Sequence, residues 1–138
     1  MITIAPSSVS WNNYAKPKAL YQYSAIKNKR IRIKGTVELT GYSSGSGFCI
    51  TPGTFSGASG STTRKAYASS TMMSGISTGW MKESGTFELD TGNLTFADIL
   101  DTGSTPTDTE WVNAIIYVNA NNGCTARITN VSMEYLDV

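Results

Sequence analysis

At 138 residues the chain is one domain by length, and it can bury about two-thirds of its unfolded surface, so folding requires neither metal nor disulfide. Eleven Lys and Arg nearly balance ten Asp and Glu, and charged types make up only 15% of the residues, which argues against a nucleic-acid partner that would demand clustered cations. There is no histidine, which removes the usual base of a nucleophilic triad, and no stretch approaches the roughly 20 apolar residues of a membrane span.

From the N-terminus, residues 1–18 read as irregular, with Pro6 and Pro17 as breakers. This opening lacks a basic region followed by an apolar run, so no signal peptide is expected. It does carry Trp11 and Tyr14, two rings that must either pack against something or be used. Residues 20–26 read as a strand, and residues 31–39 as the clearest one, with Ile31, Ile33, Val37 and Leu39 on one face. Arg30, Arg32 and Lys34 alternate with that face and read as its wet side. The run 41–47 is a glycine-rich loop with no following Gly-Lys-Ser/Thr, so a phosphate-binding loop is rejected.

Residues 48–51 form a short strand ending at Pro52-Gly53, and residues 56–63 a low-complexity loop. Strands are expected over 64–73, 80–90 and 94–100, then a polar loop over 101–109. No segment shows a helical period. In the last third, Val112, Ala114, Ile116 and Val118 alternate with Trp111, Asn113, Ile115, Tyr117 and Asn119, giving one apolar face and one face that mixes rings with amides. Asn122-Gly123 suits a tight turn, so the returning strand 124–135 is expected to close a hairpin. Its apolar parity slips near Thr129-Asn130, as a β-bulge would make it do. About eight short strands punctuated by Gly, Ser, Thr, Asn and Pro point to an all-β protein, an antiparallel β-sandwich spanning residues 1–138 as a single domain. The expected core includes Ile31, Val37, Phe87, Leu89, Ile116, Val118, Ile128 and Val131.

Three short motifs carry a resemblance. Ala126-Arg127-Ile128-Thr129-Asn130-Val131-Ser132-Met133 resembles the closing strand of the jelly-roll carbohydrate-binding modules found beside xylanases and cellulases. Trp80-Met81-Lys82-Glu83-Ser84-Gly85-Thr86-Phe87 is similar to their Trp-x-x-x-Ser-Gly-Thr-Phe strand, and Tyr21-Gln22-Tyr23-Ser24-Ala25-Ile26-Lys27 to an early Tyr-x-x-Ser-x-x-Lys strand. The resemblance implies a jelly-roll fold, Trp80 as a packing residue at a strand start, and a glycan held on a concave sheet face. It also implies a structural calcium, but Thr129 stands where those modules place an Asp ligand, and their opening Asn-Gly-x-Phe-Glu motif is missing. No metal and no cofactor are therefore expected. Asp98, Asp101 and Asp108 match no calcium-loop spacing.

Carboxylates on alternating strand positions and in loops read as solvated, so no catalytic residue is assigned and the protein is not expected to be an enzyme. Sugar recognition needs rings to stack on pyranose faces and amides or guanidinium groups to bond the hydroxyls. The mixed face offers Trp111, Asn113, Tyr117 and Asn119, with Arg127 expected beside them on the returning strand. Tyr42 and Tyr67, each next to a Gly- or Ser-rich loop, complete the expected ligand-binding set. The expected partner is a polysaccharide or cell-wall glycan, with the chain part of a larger enzyme or virion assembly, extracellular or on a virion surface. The alternative from another class is a structural or receptor-binding domain of a phage tail, fibre or baseplate. Cys49 and Cys124 leave a strand-to-strand bridge and two free thiols both open. Asn93-Leu94-Thr95 and Asn130-Val131-Ser132 match the N-glycosylation pattern.

Overall fold

The computed structural model describes residues 1–59, 63–69 and 80–138. They form two antiparallel sheets that face each other across one core. The first sheet orders β1 (Ile2–Ile4), β10 (Thr125–Leu136), β4 (Arg30–Thr40) and β7 (Gly85–Asp90). The second orders β2 (Tyr14–Ala15), β9 (Trp111–Asn119), β5 (Gly47–Phe55), β6 (Arg64–Tyr67) and β8 (Thr102–Gly103), with β3 (Tyr21–Gln22) also paired to β9. The protein is an all-β sandwich. Its interior is filled from the first sheet by Ile31, Ile33, Val37, Phe87, Leu89 and Ile128, and from the second by Phe48, Ile50, Val112, Ala114, Ile116 and Val118. The expected core residues are all buried except Val131, which is partly exposed and packs against the cluster. The parity slip is a real irregularity: the β10–β4 register shifts between Thr129 and Ser132, and Asn130 takes φ 56°.

The last two strands are not a hairpin. Strand β10 pairs with β4 and β1, while β9 pairs with β5, so the turn after Asn119 carries the chain from one sheet to the other. Side chains explain the choice. Asn121 Oδ1 accepts the N–H groups of Ser43 and Ser44, and its Nδ2 donates to the Gly41 carbonyl. The turn is thereby tied to the β4–β5 connection, which makes the same crossing. The two connections lie so close that a Cβ on Gly41, at φ 71°, would meet the Gly123 carbonyl oxygen at 2.4 Å.

Other expectations need correction too: residues 1–18 are not irregular throughout but supply β1 and β2, and the loop 101–109 carries the short β8. Residues 20–26 give only β3 and then a helical turn, α1 (Tyr23–Ile26), and residues 94–100 hold a second, α2 (Phe96–Ile99). The α2 turn is set by a capping box in which Thr95 and Asp98 each bond the other's backbone N–H, a local signal stronger than the weak alternation around it. Strand β5 runs on through Pro52 to Phe55. The Pro52 carbonyl accepts Ala68 N–H, so its donorless nitrogen faces the same edge, just past the end of β6, and leaves the β9 ladder intact. The strand expected over 64–73 is β6 at its start, and the far part of that range lies outside the described residues, as does part of the loop 56–63.

Candidate functional site

Strand β9 is covered on both faces along most of its length. On the face away from the core, Asn113 is buried, its Nδ2 donating to the Pro17 carbonyl at 2.7 Å and its Oδ1 accepting Ala114 N–H. Asn119 is buried too, with Oδ1 accepting Ser46 N–H. Both amides hold backbone, the first fixing the N-terminal segment across the sheet. That segment pairs Tyr14 with Tyr117 through β2 and turns back just before it, where Asn13 Nδ2 donates to the carbonyls of Ser8 and Ser10. The turn delivers Trp11 over the sheet.

Around Tyr117 the face opens. The Trp11 ring lies 5.5 Å from the Tyr117 ring, edge-on at 90°, and 5.3 Å from Trp80; Tyr14 stands 5.8 Å from Tyr117 on the other side. From β6, the Arg64 guanidinium lies over the Tyr67 ring at 3.7 Å and donates from Nη1 to Tyr117 Oη at 3.0 Å. Two adjoining hollows of about 340 Å³ each share Trp11, Arg64 and Tyr117. One continues over Thr51 to Tyr67 and Trp80, the other past Tyr14 to Lys16 and Phe55. Trp11 and Tyr14 each contact the Tyr117 ring, yet keep 47% and 50% of their surface in water. Burial pushes the Tyr117 phenol above its ordinary pKa, with the Arg64 cation partly opposing it.

Of the residues expected from sequence, Tyr117 and Tyr67 meet here. Trp111 sits at the far end of β9, opposite Phe55 and Gln22, about 20 Å from Tyr117 at strand rise. Arg127 is on the other sheet, between Thr3 and Glu38, with Nη2 near the Met1 sulfur; it cannot join Tyr117, because β10 is not the sheet neighbour of β9. Tyr42 donates its hydroxyl to the Gly45 carbonyl and closes its own loop. Trp80 is not a core residue at a strand start: β7 begins only at Gly85, and Met81 makes a single bridge to Phe48. Trp11, Tyr14, Trp80 and Arg64 were thus missed. For Trp11 and Tyr14 the signal available was two rings in a proline-bounded segment with no hydrophobic alternation to account for their burial.

The acidic residues have other tasks. Asp98 serves the α2 cap, and hydrogen bonds from Thr95 hold its carboxyl below the usual range. Asp101 accepts from Ser69 and Thr102, and Asp108 pairs with Lys27 at 3.1 Å. No metal-ligating cluster occurs among the described residues. Cys49 and Cys124 are both buried free thiols. Comparison with protein-family models, curated proteins and solved structures finds no match for this chain.

Proposed function

We propose that the protein binds a polysaccharide or cell-surface glycan without catalysis, through the groove around Tyr117. The observation that carries this reading is the open aromatic cleft itself, with half-exposed Trp11 and Tyr14 set beside hydrogen-bonding Arg64 on a strand-built floor. Rings of this kind offer flat apolar faces to pyranoses, and the guanidinium and hydroxyl groups give direction. No carboxylate lines either hollow among the described residues, which suits binding better than paired-carboxylate hydrolysis.

The reading includes a jelly roll as the scaffold. In its support, the first sheet runs β1-β10-β4-β7 and the second begins β2-β9-β5-β6, so that successive strands wrap back and forth between sheets as two nested Greek keys would have them. The test is equilibrium titration with a panel of soluble polysaccharides, alongside reducing-sugar release. Binding without release is expected, and removing one groove ring should weaken it by about 1–3 kcal/mol. A folded protein that binds none of the panel, or one that releases sugar, contradicts the reading.

A further inference from the structure

The groove carries charge of one sign. Arg64 and Lys16 line it, and no Asp or Glu does among the described residues. Arg64 enters none of the ion pairs among the described residues, and the segments 60–62 and 70–79 contain no Asp or Glu to supply a partner. Its guanidinium plane is nevertheless fixed, stacked on Tyr67 at 3.7 Å and bonded to Tyr117 Oη at 3.0 Å. Stacking uses the face of that plane, and the Tyr117 bond takes one of five in-plane N–H donors. What remains is an oriented, uncompensated cation with a planar fork, the geometry that a carboxylate matches bidentately.

Resting on the carbohydrate reading above, we propose that the ligand is an acidic glycan and that a uronic-acid carboxylate pairs with Arg64 while the sugar rings lie against Trp11 and Tyr117. The cation selects acidic from neutral chains, and the surrounding rings select a sugar from a simple anion.

The experiment is calorimetric titration of the whole chain with oligosaccharides of galacturonate, glucuronate and mannuronate, their methyl esters, neutral xylo-oligosaccharides and dextran sulfate. Esterification removes the charge and keeps the ring. A uronate is expected to bind about tenfold to a hundredfold more tightly than its ester, as for a hydrogen-bonded ion pair. In Arg64→Gln that ratio should collapse to near one. Arg64→Lys keeps the charge without the fork, and should show a reduced ratio; it serves alone if the Gln variant does not fold, as melting curves will show. Equal binding of acid, ester and neutral chains, or an undiminished ratio in Arg64→Gln, overturns the acidic-ligand inference while leaving the carbohydrate reading intact. Dextran sulfate binding as tightly as the best uronate overturns the carboxylate assignment. No binding of any saccharide overturns both.

Discussion

Trp11 and Ile116 mark two ways a large apolar side chain is used here. Ile116 is 1% exposed in the core, and Trp11 keeps nearly half its surface in water. Ile116→Ala is therefore expected to cost about 2–5 kcal/mol of stability, read as a lowered denaturant midpoint; an unchanged midpoint would mean that the faces of β9 are misassigned. Trp11→Ala should leave the unfolding free energy within about 1 kcal/mol of the parent and act on glycan affinity instead. At Cys49 and Cys124, burial raises both thiols above their ordinary pKa, so neither should react with a thiol reagent at pH 8 until the protein is unfolded. Rapid labelling of the native protein would contradict that placement. Alternation along β9 made Tyr117 legible as a residue facing away from the core. It did not show that Asn113 and Asn119 would be consumed by backbone groups, because their partners, Pro17 and Ser46, lie about 70 to 100 residues away in sequence.

Among the elements, β6 supplies both Arg64 and Tyr67 to the groove, and its approach to β5 depends on one missing side chain. A Cβ on Gly53 would stand 2.5 Å from the Ala66 carbonyl oxygen and 3.0 Å from Tyr67 Cβ. Gly53→Ala should thus cost about 1–3 kcal/mol and weaken glycan binding together with stability, because β6 must move. A stable variant with parental affinity would show that β6 does not position the groove. The element types that sequence missed, α1 and α2, are single helical turns, too short to leave a hydrophobic period, although the Thr95-x-x-Asp98 box was readable at α2. Strand neighbours were harder still. Proximity in sequence favours pairing β9 with β10, and only the contacts from Asn121 to the neighbouring connection reveal the crossing.

For the whole molecule, composition and patterning were enough for the sandwich, since two-residue alternation in β4 and β9 fixes which faces meet. Charge sets the pH range of its stability. Hydrogen bonds from Thr95, Arg32 and Lys29 hold Asp98, Glu134 and Asp137 below their ordinary values. Such depressed carboxyls contribute stability above the usual carboxylate range near pH 4, and it is lost as pH falls through their lowered values. Burial raises the phenols of Tyr23, Tyr117 and Tyr135; their contribution is full below about pH 10 and is lost as pH rises beyond it. A urea midpoint that is flat between these limits and falls on both sides is expected, and one that holds unchanged down to pH 2 would contradict the carboxylate placements.

The most direct measurement of the binding site uses the three tryptophans the chain carries, each with one indole N–H signal. Trp11 and Trp80 border the groove, and Trp111 lies about six residues along β9 from Tyr117, roughly 20 Å away. In a titration with the saccharide that binds, followed by two-dimensional NMR, the Trp11 and Trp80 signals should shift together along one binding curve while Trp111 stays in place. Movement of Trp111 alone, or of none of the three at saturating saccharide, would contradict the groove as the binding site.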